Sequence, residues 1–131
     1  MIADDFTGAL DAGVQFAKKG FSTKVLVYSK DMSFQAEDAD VLVVDAETRH
    51  KKPLEAYLTI FRIVKPAAES GVSYFFKKTD SALRGNIGAE LTAMLDATGR
   101  TLLNFVPAFP QMNRVTVKGI HFIDGVPVDE S

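Results

Sequence analysis

The chain has 131 residues, of which 47% are hydrophobic and 24% charged, and its formal net charge is −2. These values predict one soluble globular domain with a core, and they leave no basic field for nucleic acid or an anionic membrane. The absence of cysteine excludes disulfides and thiolate metal sites. No apolar run approaches the ~20 residues of a membrane span, and the start has no signal-peptide pattern, so we expect no membrane partner and a cytoplasmic location.

The first half of the chain alternates between helical and strand patterns. Apolar residues at helical spacing predict a helix over 9–19, and β-branched runs predict buried strands over 23–29 and 39–47. A second helix is expected from Pro53, which suits a first helical turn. Pro66 should end or kink that helix, because it cannot donate to the carbonyl four residues back.

The second half continues the alternation and then changes character. It predicts a strand over 72–80, a helix from Ile87 that Gly99 closes, and a strand over 101–107. Residues 115–128 form short β runs broken by Lys-Gly and Asp-Gly, which predicts a hairpin with its last run, at Pro127, on an edge. The predicted fold class is α/β: an open three-layer, mostly parallel sheet with flanking helices and a C-terminal β-hairpin excursion.

Such a sheet predicts a common location for the polar residues that follow its strands. Ligands of open α/β sheets bind outside the carboxyl ends of the strands. Asp4-Asp5, residues 45–47, residues 78–80 and Pro107 each follow a predicted strand. We therefore expect all of them at one edge of the sheet.

The stretch IADDFTGALD, residues 2–11, places two aspartates directly before the first helix. Either Asp5 or Thr7 is expected to cap that helix, and Gly8 eases close packing. A cap does not explain the second acid. A carboxylate at a strand end could instead accept a proton from a ligand hydroxyl or hold Mg²⁺, so Asp4 and Asp5 are candidate catalytic residues.

The stretch KKTDSALRGNIG, residues 77–88, is the richest in functional groups. A helix N-terminus after Arg84-Gly85-Asn86 suits an anion, and the Arg84 fork matches a carboxylate. Lys78 adds a point charge, while Asp80 and Ser81 could bond hydroxyls, so the set would bind a small polyhydroxylated acid. The alternative is a solvated loop in which Asn86 caps the helix and Arg84 pairs with Asp80.

Three further features bear on the site. Arg49 and His50, in residues 45–53, could reach the same edge or could simply be solvated. His50 and His121 have no partner at ligand spacing, so no metal site is predicted. Residues 107–114 contain two prolines and could form a stiff wall. No phosphate-binding loop of either common pattern occurs, so the chain has no autonomous nucleotide site.

These motifs together resemble the N-terminal sugar-binding domain of the four-carbon acid sugar kinases, in the D-threonate and D-erythronate kinase branch. The likeness rests on residues 2–20, 77–91 and 106–128, in family order. It matches Asp4, Asp5, Thr7 and Gly8 to the first family motif. To the second it matches Lys78, Asp80, Ser81, Arg84, Gly85 and Asn86.

The resemblance implies a role for each residue. It implies that Arg84 and Lys78 take the substrate carboxylate and that Asp80 and Ser81 take hydroxyls. One N-terminal aspartate would lie nearest the reacting hydroxyl, and Asp5, beside the helix start, is favoured over Asp4. Arg49 stays a candidate substrate-binding residue from its position alone.

The resemblance also implies a division of labour in an ATP-dependent kinase that phosphorylates a terminal hydroxyl of threonate or erythronate. Residues 1–131 would be one acid-sugar-binding domain, with the nucleotide-binding domain supplied in cis or in trans. ATP and Mg²⁺ would serve the full-length enzyme, with none bound by this chain alone. The family has a strand before the first motif and a further domain after it, so we expect a fragment, an internally started gene product or one half of a split enzyme.

Two other interpretations remain open from the sequence. A truncated copy could be a non-catalytic acid-sugar-binding or partner-interaction module. The motif residues could also do no more than cap helices in an ordinary α/β domain. Association of copies through an exposed sheet edge is a further expectation, although no motif supports it.

Overall fold

A computed structural model describes residues 1–32 and 39–131. Within these residues no helix is long and apolar enough to cross a bilayer. The elements, in chain order, are β1 (Ile2–Ala3), α1 (Phe6–Ala17), β2 (Thr23–Val27), β3 (Val41–Asp45), α2 (Pro53–Glu69), β4 (Lys77–Lys78), α3 (Ile87–Thr98), a 3₁₀ turn (Pro110–Met112), β5 (Arg114–Val117), β6 (Ile120–Ile123) and β7 (Val126–Pro127).

The first four strands form one parallel sheet in the order β2-β3-β1-β4. The register pairs Ala3 with Asp45 on one side and with Lys78 on the other. The strands therefore end at the same level, and the residues that follow β1, β3 and β4 emerge side by side. This register positions the candidate site.

The helices cover both faces of this sheet, as the three-layer prediction requires. On one face Val44 packs in a buried cluster with Ile60 and Ile63 of α2 and with residues of α3. On the other face Val43 packs with Ala9 of α1. Alternate residues of β3 thus point into different cores, which is why the strand is a continuous apolar run in the sequence.

The C-terminal excursion is a separate antiparallel sheet in the order β5-β6-β7. Its two connections are Lys118-Gly119 and Asp124-Gly125, and all four residues have φ between 50° and 84°. Positive φ at both central residues is the geometry of tight hairpin turns that match the strand twist. The predicted hairpin and the edge position of Pro127 are confirmed.

Two element predictions are wrong, and of the two alternatives given for Pro66 the end of the helix is excluded. Helix α2 continues past Pro66 to Glu69, because Pro66 and Arg62 are both exposed and the carbonyl without a donor lies on the solvent side. Of the strand predicted over 72–80, only Lys77–Lys78 belongs to the sheet, since β1 offers it a partner of two residues. Residues 101–107 form no strand, because no described strand pairs with them.

Candidate functional site

Asp5 is the residue at which β1 gives way to α1. It has an extended backbone and its Oδ1 accepts a hydrogen bond of 2.8 Å from the Gly8 amide. Asp5 rather than Thr7, which is exposed, is therefore the helix cap. A Cβ on Gly8 would lie 2.6 Å from that same carboxylate oxygen, so the cap requires glycine at this position.

Arg49 explains why two adjacent acids are tolerated. Its Nε and Nη2 donate to the two carboxylate oxygens of Asp4 at 2.8 and 3.1 Å, and its Nη1 donates to Asp5 Oδ2 at 2.5 Å. One guanidinium fork thus bonds both carboxylates and offsets one of their two negative charges. Burial alone would lower the pKa of Arg49, but the hydrogen bonds that Arg49 donates to Asp4 and the charges of Asp4, Asp5 and Asp80 raise that pKa above its usual value.

Asp4 and Asp5 differ in how accessible their carboxylate oxygens are to a ligand. Asp4 is 3% exposed, and both of its oxygens are bonded to Arg49. The Asp5 side chain is 29% exposed and lines a cavity of about 280 Å³, together with Asp4, Phe6, Glu47, Arg49 and His50. Asp5 is therefore the aspartate of the pair that a ligand can reach.

The loop after β4 is organised by Asp80, which is 8% exposed. Its carboxylate accepts from Nε and Nη2 of Arg84 at 2.8 and 2.9 Å, and from the backbone amides of Ala82 and Arg84 at 3.2 Å. The bond from Arg84 is the main reason that the pKa of Asp80 falls to about 2. The pairing of Arg84 with Asp80, expected in the alternative interpretation, is present in the structure.

Arg84 nevertheless keeps donors for a ligand. Its side chain is 67% exposed, and the bonds to Asp80 use Nε and Nη2. A guanidinium carries five N–H donors, so the Nη1 group remains for a second acceptor. The pair with Asp80 then fixes the direction in which Arg84 projects.

Asn86 does not cap α3 with its side chain, contrary to one expectation from the sequence. Its amide Nδ2 instead donates to the carbonyls of Thr48 and Lys51 at 2.9 and 2.8 Å. Gly85 has a φ of 95°, and a Cβ there would lie 3.4 Å from the Arg49 side chain. Asn86 and Gly85 thus join the loop after β4 to the loop that carries Arg49.

Lys78 and Ser81 are the other members of the second motif. Lys78 Nζ donates to the Thr79 carbonyl at 2.7 Å, and its side chain lies beside the first turn of α1, within 4 Å of the space a Gly8 side chain would fill. The Ser81 carbonyl lies 2.8 Å from His121 Nε2. The site therefore gathers Asp4, Asp5, Gly8, Arg49, Lys78, Asp80, Ser81, Arg84, Gly85 and Asn86, while Thr7 lies exposed on α1.

Two polar residues near the site were considered in the sequence but were given no role there. Asp45, at the end of β3, is fully buried, and burial raises the pKa of its carboxyl. His121 comes from the hairpin sheet and lies forty residues beyond Ser81 in the sequence. Among residues 1–32 and 39–131 no group of three or more His, Asp or Glu side chains is placed to hold a metal ion.

The chain belongs to the family of sugar-binding N-terminal domains, whose model matches residues 1–131. It is 40% identical over 132 residues to a D-threonate kinase of Salmonella typhimurium and 35% identical over 133 residues to a D-erythronate kinase of Heliobacterium modesticaldum. Both matches cover 100% of this chain but only 31% and 30% of the relatives. The chain thus spans about a third of the length of these kinases.

Solved structures share the fold. A protein of Bordetella bronchiseptica, crystallised as a domain-swapped dimer with bound citrate, matches with a TM-score of 0.87 and 31% identity, over 99% of this chain and 33% of that chain. A Haemophilus influenzae protein matches with a TM-score of 0.85 and 30% identity, over 99% of this chain and 32% of that chain. The α/β assignment and the family resemblance of the sequence motifs are confirmed.

Proposed function

We propose that this chain binds a four-carbon acid sugar, threonate or erythronate, as the substrate half of an ATP-dependent sugar-acid kinase. The observation that carries the proposal is the convergence of Arg49, Lys78 and Arg84 with Asp5 at the carboxyl edge of the sheet. Cations there suit the carboxylate of the acid, and the acids and Ser81 suit its hydroxyls. Citrate, bound in the Bordetella relative, is likewise a small hydroxy acid.

We assign the carboxylate of the sugar acid to Arg84 and Lys78. Arg84 is held by Asp80 yet mostly exposed, so a bidentate approach costs little side-chain entropy. Each guanidinium nitrogen of Arg49 already donates to Asp4 or Asp5, so we assign Arg49 to orienting those two carboxylates rather than to the acid of the ligand. Asp80 and Ser81 would bond hydroxyls from the same loop.

Asp5 is the residue we place nearest the reacting hydroxyl. Its exposed carboxylate lines the cavity, whereas Asp4 is buried and fully used by Arg49. Phosphoryl transfer depends mainly on positioning and electrostatic stabilisation, with a carboxylate to orient the nucleophile and accept its proton. Asp5 would orient the terminal hydroxyl, and Asp4 would hold Arg49 in place.

The chain spans about a third of the length of the kinases that it matches, and its sequence has no phosphate-binding loop. We therefore propose that ATP and Mg²⁺ are bound by a separate nucleotide-binding domain, in cis or in trans.

The use of ATP also favours a cytoplasmic location. Self-association of this chain is a further proposal, which the mass in solution would test.

Calorimetric titration tests the proposal directly. The chain is titrated with D-threonate, D-erythronate and L-threonate, and the titration is repeated on Arg84→Ala. Arg62→Ala, which removes an exposed arginine from α2, is the matched control. We expect saturable binding of one acid, kept in the control and lost in Arg84→Ala. Equal binding by both variants, or none by the folded wild-type chain, would refute the proposal.

A further inference from the structure

His121 lies in β6, the middle strand of the hairpin sheet, and is 5% exposed. Its Nε2 is 2.8 Å from the backbone carbonyl of Ser81, forty residues away in the loop after β4. Its Nδ1 is 2.9 Å from Thr116 Oγ1, on the neighbouring strand β5. Both ring nitrogens of a buried imidazole therefore have partners, one in each part of the molecule.

The partners fix the arrangement of protons on the ring. A carbonyl oxygen only accepts hydrogen bonds, so Nε2 must carry the proton that is donated to Ser81. In the neutral ring Nδ1 is then an acceptor, and the Thr116 hydroxyl donates to it. In the described part of the chain, this Nε2 bond is the hydrogen bond that ties the hairpin sheet to the loop of the candidate site.

The loop that receives this bond carries three of the proposed ligand-binding groups. Asp80 organises its backbone from within, and Asn86 anchors its far end to the loop of Arg49. Between these two points, His121 holds the carbonyl of Ser81. The Ser81 hydroxyl has no hydrogen-bond partner among the described residues, so its direction depends on the backbone to which His121 is bonded.

We propose that His121 is a positioning residue for the acid-sugar site: its Nε2–H holds the Ser81 carbonyl and so aims the Ser81 hydroxyl and the following Arg84. The inference rests on the proposed function, since it names what sets the geometry of that site. In this arrangement the hairpin sheet supports the ligand-binding loop from outside the parallel sheet.

Binding of D-threonate and D-erythronate by the full chain, measured by calorimetry, provides the first test. His121→Leu removes the donor, and we expect about five- to tenfold weaker binding of the acid that the wild-type chain prefers, as for the loss of one hydrogen bond. His121→Gln offers an amide N–H near the position of Nε2 and should bind within about twofold of wild type. Val117→Thr is the matched control, because Val117 lies on the same strand pair, is 51% exposed and pairs with Ile120 rather than with His121.

The outcomes separate this inference from the proposed function. Wild-type binding that His121→Leu retains in full overturns the role of His121 and leaves the proposed function standing. A folded wild-type chain that binds neither acid overturns both. Weaker binding in His121→Leu with near-normal binding in His121→Gln and Val117→Thr supports the inference.

Nitrogen-15 NMR of the histidine rings gives a test that needs no variant. The chain has two histidines, so His50 serves as the internal reference. We expect His121 to be the Nε2–H tautomer in the free chain, with a ring signal that moves when D-threonate or D-erythronate binds. An Nδ1–H tautomer, or a ring signal that ignores a bound acid, would overturn the inference even if His121→Leu does not fold.

Discussion

Arg49 bonds both carboxylate oxygens of Asp4, at 2.8 and 3.1 Å, although 45 residues of sequence separate the two. This ion pair joins the loop after β3 to the residue that follows β1, and it is largely buried. Because Arg49 also reaches Asp5, it orders the acid at the mouth of the cavity. The stability of the sheet edge and the shape of the site therefore depend on the same side chain.

Replacing Arg49 should destabilise the fold as well as the site. Arg49→Ala leaves Asp4 buried without a partner, and loss of one member of a buried pair costs about 3–5 kcal/mol. Urea denaturation of Arg49→Ala and of the control Arg62→Ala measures this cost. A free energy of unfolding within 1 kcal/mol of wild type, on the scale of a surface pair, would contradict the role given to Arg49.

Gly8→Ala tests the contact between α1 and Asp5. A Cβ would lie 2.6 Å from Asp5 Oδ1, so the carboxylate must move and the cap is lost. Cap loss and overpacking together cost about 2 kcal/mol, which exceeds the roughly 0.5–1 kcal/mol that alanine gains over glycine in a helix. Gly88→Ala is the matched control, because a Cβ there meets nothing within 4 Å and alanine favours a helix by roughly 0.5–1 kcal/mol. Thermal unfolding should shift in opposite directions. A Gly8→Ala chain as stable as wild type would refute the close packing.

Asp80 should make stability depend on pH in the acid range. Its pKa falls from 3.8 to about 2 in the folded chain, so its contribution is complete above pH 4 and is lost as the pH falls towards 2. At neutral pH the contribution is on the order of 2 kcal/mol, at 1.36 kcal/mol per pKa unit. Denaturation of wild type and Asp80→Asn should therefore converge between pH 4 and pH 2. A difference that stays constant across this range would exclude the Arg84 bond as its source.

Lys77 and Glu90 form a second buried ion pair, 2.7 Å apart, with 2% and 1% of their side chains exposed. Glu90→Ala would leave the Lys77 ammonium buried without its counter-charge, so we expect a loss of about 3–5 kcal/mol. The double variant Lys77→Met with Glu90→Leu removes both charges and should recover most of that loss. Chemical denaturation of the three chains measures the recovery. A double variant as unstable as Glu90→Ala would show that packing, rather than the unpaired charge, is responsible.

Much of this architecture could be predicted from the chain. The apolar periodicity is enough to predict the fold class. The positions of Asp4-Asp5 and Lys78–Asp80 at the ends of predicted strands are enough to predict the edge of the sheet at which the candidate site lies. The predictions that failed depend on contacts that only the tertiary structure provides. Residues 72–76 have a strand composition, but β1 gives β4 a partner of only two residues. The Asn86 side chain bonds the loop after β3 rather than its own helix.

The pairing of Arg49 with both aspartates could not be read from spacing, because it depends on the register between β1 and β3. The contact of His121 with the site could not be predicted for a different reason, because its partner there is a backbone carbonyl. A carbonyl is present at every residue, so no sequence pattern marks the one that is used.

We propose that the carboxyl edge of the sheet binds a four-carbon sugar acid through the loop after β4. Backbone amide NMR during titration with D-threonate and D-erythronate measures which residues respond to the ligand. We expect saturable shifts concentrated at Asp5–Gly8 and at 78–86, with the exposed face of α2 around Arg62 unchanged. Saturable shifts confined to another surface, or none with either acid, would contradict it.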